Sequence, residues 1–296
     1  MASGENNLVK DRPFERTLQA GLYIVATPIG NLGDISRRAL EVLKAADLIA
    51  CEDTRVTAKL LSAFGMKGHL VPYHEHNGDQ MRPKILDALA SGQRVALVSD
   101  AGTPLISDPG YKLVAAVQDA GHMVTSIPGP SALITALTLA GLPTDRFIFA
   151  GFPPNKSGAR QTFYSDYKDM PATLVFYESA RRLTDSLSDA LAVFGDRNAA
   201  VCRELTKKFE ETRRGKLQDL IAHYQDAGNP KGEVVLVIDR PAPAENKGQA
   251  VGIETEDLLK KALDYMSVKD ASAFVASVTG EKKKTLYQQA LTIKEG

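Results

Sequence analysis

From residue 20 onward, short apolar runs alternate with stretches whose apolar residues recur every three or four positions. The run Leu-Tyr-Ile-Val-Ala at 22–26 reads as a strand, and 35–46 places Ile35, Ala39, Val42, Leu43 and Ala46 on one helical face. The spacing next predicts a strand at 48–51, a helix at 54–64 ending at Gly65, and a short strand at 69–72 whose Pro72 suits a sheet edge. A helix near Pro83 covering 84–90, a strand at 95–98, a helix from 111 to 117 and a strand at 122–127 follow. Such alternation predicts a mostly parallel sheet covered by helices. The segment Pro-Gly-Pro-Ser-Ala at 128–132 breaks the chain and opens a helix over 132–139, with Pro130 near its first turn. A second block then sets strands at 147–150, 173–177, 199–202 and 233–238 around helices at 183–194 and 217–227. Residues 241–252 are rich in Pro, Gly, Ala and Gln, as linkers are, and helical stretches follow at 255–266, 269–277 and 281–293.

The expected organisation is a disordered leader (1–19), an N-terminal α/β domain (20–128), a C-terminal α/β domain (129–240), a linker (241–254) and a helical tail (255–296). Two α/β domains would leave a cleft between them. In a chain of 296 residues, 36 basic side chains balance 36 acidic ones, so any polyanion surface must be a local patch. Cys51 and Cys202 lie far apart in strand-like runs, which fits a reducing cytoplasm and neither a disulfide framework nor a thiolate metal site. No apolar run approaches the roughly 18 residues of a membrane span, and the polar N-terminus lacks an apolar secretory segment.

Candidate chemistry gathers in loops that follow strands. Residues 100–110 (Asp-Ala-Gly-Thr-Pro-Leu-Ile-Ser-Asp-Pro-Gly) make a connection longer than the usual 2–6 residues. Gly102 permits close backbone approach, Pro104 and Pro109 stiffen the loop, and Asp100, Thr103, Ser107 and Asp108 bring polar groups to its rim. The loop 26–34 also joins a strand to a helix, with Gly30 and Gly33 able to lie against a ligand and Asp34 placed to cap. Neither loop is G-x-G-x-x-G, and no phosphate-binding G-x-x-x-x-G-K-[ST] occurs. Glu52, Asp53 and Arg55 sit at the end of the second strand, either as a substrate-facing acid and base set or as a helix cap with its ion pair. Ser131 fails the G-x-S-x-G nucleophile pattern, since Leu133 stands where the glycine would be. His74-Glu75-His76 lacks a third ligand at metal spacing and reads as a solvated loop, so no metal is expected. The stretch 203–216 holds six basic and three acidic residues and could form a phosphate-binding patch extended by Lys156 and Arg160. Lys282, Lys283 and Lys284 oppose the dipole of the helix they open, which suggests nucleic-acid contact.

Taken in order, Thr-Pro-Ile-Gly-Asn-Leu-Gly-Asp-Ile, Cys-Glu-Asp-Thr-Arg, Ser-Asp-Ala-Gly-Thr-Pro-Leu-Ile-Ser-Asp-Pro-Gly, Pro-Gly-Pro-Ser-Ala, Phe-Tyr-Glu-Ser, Arg-Glu-Leu-Thr-Lys and Lys-Gly-Glu resemble one family. It is the small-subunit ribosomal RNA methyltransferase I family, within the tetrapyrrole methylase superfamily, and the likeness runs from about 20 to 293. One departure is that Ala180-Arg181-Arg182 stands where the family usually has a His before an Arg; no role is assigned there. The resemblance implies two α/β domains of the tetrapyrrole methylase type with S-adenosyl-L-methionine in the cleft between them, plus a small C-terminal helical appendage. It also implies 2′-O-methylation of a cytidine ribose in the decoding region of 16S ribosomal RNA, within the small subunit, by a homodimer.

By the same resemblance, Pro28, Gly30, Asp100, Ala101, Gly102, Thr103, Ile106, Ser107, Ser131 and Ala132 would hold the cofactor, with Tyr177, Leu205 and Gly232 closing the pocket from the second domain. A ribose hydroxyl is a poor nucleophile that a positioned base helps. Asp53, Glu52 and Lys207 are the candidates near it, with Arg55 gripping a phosphate or orienting a carboxylate. Lys156, Arg160, Arg203, Lys208, Arg213, Arg214 and Lys282 to Lys284 are the candidate RNA contacts. Two rival readings are a tetrapyrrole C-methyltransferase, which would need neither the basic stretch nor the lysine-bearing tail, and a non-enzymatic RNA-binding module.

Overall fold

The computed structural model describes residues 18–108, 110–242 and 255–295. The expected leader lies outside the described residues except for 18 and 19, as does the linker except for 241 and 242. Leu18 packs against the first core and the Gln19 carbonyl accepts from the Tyr23 hydroxyl at 2.7 Å, so both belong to the folded unit.

Strands β1 (Gly21–Val25), β2 (Leu48–Cys51), β3 (Leu70–Pro72), β4 (Arg94–Val98) and β5 (Val124–Ile127) form an entirely parallel sheet in the order β3-β2-β4-β1-β5. Strands covered on both faces need apolar residues at nearly every position, which is why β2 and β4 read as continuous apolar runs. Successive side chains of β1 go to opposite faces. Tyr23 and Val25 join Ala39, Val42 and Leu43 of α1 (Arg37–Ala45), while Leu22 joins Ile85 of α3 (Gly78–Ala90) and Leu113 of α4 (Tyr111–Asp119). The Ser36 hydroxyl caps α1 by accepting from the Ala39 amide at 3.1 Å. Asp53 caps α2 (Thr54–Ala63) by accepting from the Arg55 amide at 2.8 Å. Helix α3 begins at Gly78, well before the start expected near Pro83, which lies inside it. Asn77 secures that extra turn: its side chain accepts from the His74 amide and donates to the Pro72 carbonyl, each at 2.9 Å.

A second sheet contains β6 (Phe147–Phe149), β7 (Thr173–Ser179), β8 (Asn198–Arg203), β9 (Glu211–Lys216) and β10 (Glu233–Ile238), in the order β6-β7-β10-β8-β9. Only β6 and β7 pair in parallel, so this sheet is mainly antiparallel. Strand β9 was not legible as a strand, because Glu-Thr-Arg-Arg-Gly-Lys is mostly charged and has no apolar side chain; an edge tolerates and is protected by such residues. One face packs on α6 (Ser157–Ser165), α7 (Leu183–Phe194) and α8 (Leu217–Ala227) through Tyr164, Phe176, Leu183, Leu187 and Leu236. Helix α6 falls in the stretch between 150 and 173, where the spacing predicted no element. The other face, with Val175, Ala200, Cys202 and Val235, is covered by α5 (Ala132–Ala140) through Leu133, Ala136 and Leu137.

Residues up to Arg240 cluster as one compact unit and those from Pro241 as another. In the latter, α9 (Thr255–Leu263), α10 (Val268–Thr279) and α11 (Lys283–Glu295) bury Leu259, Ala271, Val275, Leu286 and Ala290 against one another. The left-handed Gly280 terminates α10.

Candidate active site

Because the first sheet is parallel, the loops after β1, β2 and β4 all emerge at its carboxyl edge, where open α/β sheets bind ligands. Thr27 and Gly102 exchange both backbone hydrogen bonds, at 2.8 and 3.0 Å, fastening two of those loops together. Gly102 has a φ of +81°, which an L side chain rarely adopts. Thr103 Oγ1 donates to the Pro130 carbonyl at 3.0 Å and draws the same loop to the start of α5. Leu105 and Ser107 also have positive φ, 75° and 63°. Such backbone costs of order 1–3 kcal/mol per residue and persists only where its surroundings enforce it.

These loops form one wall of a cleft of about 310 Å³, and β7, β8, β10 and their loops form the other. Asp100, Ala101, Gly102, Thr103, Ile106, Ser107, Ser131, Ala132, Tyr177 and Leu205, all expected at a ligand, line it. Pro28, Gly30 and Gly232 are not among the lining residues. A Cβ on Gly30 would come within 2.3 Å of Lys207 Cγ, and one on Gly232 within 2.3 Å of Glu204 Oε1. The absence of a side chain at those two positions leaves room for Lys207 and Glu204. Asp108, expected on the loop's rim, also lines the cleft, whereas sequence reading missed Ile29, Phe152, Glu178, Cys202, Glu233, Val234 and Val235. Among them Cys202, Val234 and Val235 are apolar strand residues indistinguishable by pattern from core.

The donor set is informative. Glu178 is 3 % exposed, accepts from the Ser179 amide and pairs with Arg182 Nη2 at 2.8 Å, yet its Oε2 has no hydrogen-bond partner. A buried carboxylate oxygen left so is an acceptor for a ligand N–H or O–H. Ser131 precedes α5 without a side-chain capping hydrogen bond, leaving its hydroxyl as a donor at the cleft wall, while the Leu133 backbone in the same turn meets the Tyr177 hydroxyl. Arg182 thus has a role as the partner of Glu178, while Ala180 is buried in the core.

The acid and base candidates separate on inspection. Asp53 is bound by Arg55, with Nη2–Oδ2 at 2.6 Å and Nε–Oδ1 at 3.0 Å, and this holds its carboxyl down at about 2. Asp53 and Arg55 thus form the helix cap and ion pair that the sequence offered as one of its two readings. Lys207 donates to Glu204 Oε1 at 2.9 Å and to Glu233 Oε2 at 3.1 Å. Burial pulls its ammonium down, but the two carboxylates outweigh burial and its pKa is raised. Lys207 is thus held as a cation between two carboxylates. Glu52 is pushed up by burial and by the neighbouring Asp100 carboxylate. Asp108, absent from the expected set, is pushed up to about 6 by burial, with Glu52 and Asp100 adding to it and a hydrogen bond from Ser99 opposing.

Among the expected RNA contacts, Arg160 is the clearest correction. Its side chain is 3 % exposed and bound to the Asp189 carboxylate at 2.6 Å, joining α6 to α7. Arg203 and Arg213 both pair with Glu211, at 3.4 and 3.0 Å, and Arg214 donates to the Gly141 carbonyl at 3.0 Å. Lys156 and Lys208 are exposed, and Lys208 lies over the exposed Phe209 ring at 5.5 Å. Lys282 to Lys284 are exposed where α11 begins.

Residues 21–221 match the family model of Tetrapyrrole (Corrin/Porphyrin) Methylases, which makes the chain a tetrapyrrole-methylase-type protein. Solved neighbours agree on the fold: a uroporphyrin-III-C-methyltransferase from Thermus thermophilus is 22% identical with a TM-score of 0.53, covering 74% of this chain and 94% of its own. A diphthine synthase is 16% identical with a TM-score of 0.55, covering 74% of this chain and 89% of its own. Residues 249–294 match a second model, the RsmI C-terminal HTH domain. Proteins named ribosomal RNA small subunit methyltransferase I are 50% identical in Mesorhizobium japonicum (95% of this chain, 94% of the relative) and 48% identical in Escherichia coli O157:H7 (92% and 95%). The chain belongs to the ribosomal RNA small subunit methyltransferase I family.

Proposed function

We propose that this protein transfers a methyl group from S-adenosyl-L-methionine to the ribose 2′-hydroxyl of a cytidine in the decoding region of 16S ribosomal RNA. The observation that carries the reading is the presence in one chain of the methylase model over 21–221 and of the helix-turn-helix model over 249–294. The second model disfavours a porphyrinogen acceptor, and the first, with its lined cleft, disfavours a purely RNA-binding role.

The residues present suit the cofactor. The unpartnered Glu178 Oε2 and the Ser131 hydroxyl match its polar groups, and Ile29, Ile106, Leu205 and Val235 match its apolar surface. When bound, it supplies an electrophilic methyl on a sulfonium centre. The protein's main task is then alignment, since methyl transfer needs the attacking oxygen, carbon and sulfur in line. Asp100 and Glu233 bring carboxylates to the cleft, where they attract a cation without overstabilising the ground state. Lys207 keeps Glu233 and Glu204 in place, and the apolar lining excludes water.

A cytoplasmic homodimer belongs to the same reading. The buried free thiols of Cys51 and Cys202 accord with a reducing compartment, and among the described residues no helix is long and apolar enough to cross a membrane. The test is methyl transfer from labelled cofactor to small subunits purified from cells lacking this gene, with ribose methylation mapped afterwards. One labelled cytidine ribose in 16S RNA is the expected result. Labelling of uroporphyrinogen with none of the subunits would overturn it.

A further inference from the structure

A second cavity, of about 460 Å³, adjoins the cleft and shares Ser107 and Asp108 with it. Its remaining wall comes from the ends of β2 and β3 and the starts of α3 and α4, including Glu52, Tyr73, His74, Arg82, Tyr111 and Lys112. This chemistry is unlike that of the first cleft. Aromatic rings (Tyr73 and Tyr111), cations (Arg82, itself paired with Asp79, and Lys112) and carboxylates (Glu52 and Asp108) line it together, groups that can stack a base, grip a phosphate and face a hydroxyl. Tyr111 is 68 % exposed, with Lys112 Nζ 6.0 Å from its ring centre. His74 Nδ1 and Arg82 Nε are buried without hydrogen-bond partners. Among the described residues no group of three or more His, Cys, Asp or Glu side chains is arranged to hold a metal ion.

We propose that this second cavity receives the everted target nucleotide and that Asp108, at the junction of the two cavities, takes the proton from its 2′-hydroxyl. The inference rests on the methyl-transfer reading above. In the step, O2′ bonds to the methyl carbon while the carbon–sulfur bond breaks, sulfur keeping the electron pair, and the O2′ proton passes to the Asp108 carboxylate. Enzymes that modify a stacked base extrude its nucleotide into a pocket; a ribose acceptor delivered in the same way would enter this cavity, which shares Ser107 and Asp108 with the donor cleft. The surroundings of Asp108 suit a base. Ser99 and Asp100 follow β4, Glu52 follows β2, Tyr177 faces it from β7, and His74, Arg82 and Lys112 line the same second cavity. Held near 6 by burial and neighbouring acids, Asp108 is ionised at neutral pH yet more basic than an ordinary carboxylate.

The test uses the full-length enzyme, subunits lacking the methylation, and saturating cofactor in single turnover. Asp108→Asn is expected to slow transfer by about 10²–10⁴-fold, with cofactor Kd by calorimetry changed less than about threefold. Tyr111→Ala is expected to raise KM for subunits roughly 5- to 100-fold with kcat nearly intact, as loss of a stacking ring does. An Asp108→Asn rate within about threefold of wild type, or loss of cofactor binding in that variant, overturns the assignment. Should Asp108→Asn fail to fold, an unchanged KM in both Tyr111→Ala and His74→Ala overturns the cavity's role. Wild-type enzyme that methylates no RNA sinks the underlying function, whereas an active wild type beside a fully active Asp108→Asn sinks only this inference.

Discussion

Replacing Arg160 by alanine separates a structural cation from an RNA-contacting one. Its guanidinium donates from Nε to Asp189 Oδ2 at 2.7 Å and from Nη1 to the Asn155 carbonyl at 3.2 Å, and both side chains of the ion pair are buried. Removing one member of a buried pair costs about 3–5 kcal/mol, since the other charge stays behind unsolvated. Asp189 retains hydrogen bonds from Ser157 at 2.8 Å and Gln161 at 2.7 Å, which places the loss near the lower end, about 3 kcal/mol. For a domain of this size that corresponds to a fall in Tm of about 6–12 °C, read by calorimetry. The pH dependence has a definite sign. Burial pushes the Asp189 carboxyl up, but the hydrogen bonds of Gln161, Ser157 and Arg160 outweigh it, so the folded value is lowered. Its stabilising contribution is thus complete above the unfolded value of about 4 and lost as pH falls through the lowered folded value. The gap between wild type and Arg160→Ala narrows accordingly in acid. A variant with unchanged Tm but weaker, less salt-sensitive RNA binding would refute the reasoning and restore Arg160 to the RNA surface.

Other outcomes follow from the same contacts. Thr103→Val removes the hydroxyl that donates to Pro130 and should weaken cofactor binding about 5- to 30-fold in calorimetry, the effect of about 1–2 kcal/mol for one lost hydrogen bond. Gly232→Ala forces an L side chain to a φ of +101° and into Glu204, so a destabilisation of about 1–3 kcal/mol should appear in thermal melts. The triple change Lys282→Ala, Lys283→Ala, Lys284→Ala should lower the salt slope of RNA binding by about 2 if all three meet phosphates, with cofactor affinity unchanged.

How much the sequence disclosed depended on which forces set each position. The first sheet was legible because a strand buried on both faces must be apolar throughout, and β2 and β4 show little else. Strand β9 was not, since an edge strand is specified by its backbone partner β8 and its charges obscured any period. Arg160 misled for a related reason: Asp189, the residue that neutralises it, is 29 positions away and marks nothing in the local pattern. The cleft's loops stood out by length and glycine content, whereas Glu178, Val234 and Val235 looked like strand interior. Lys207 and Asp53 carried the right chemistry for a base, yet the ion pairs that engage them are legible only in three dimensions.

The doubled link between Thr27 and Gly102 makes two separate loops into a single braced plate. A plate already in shape has little freedom left to surrender when a small molecule settles on it. The heat capacity of donor binding should then reflect the apolar surface covered, with no added contribution from ordering backbone.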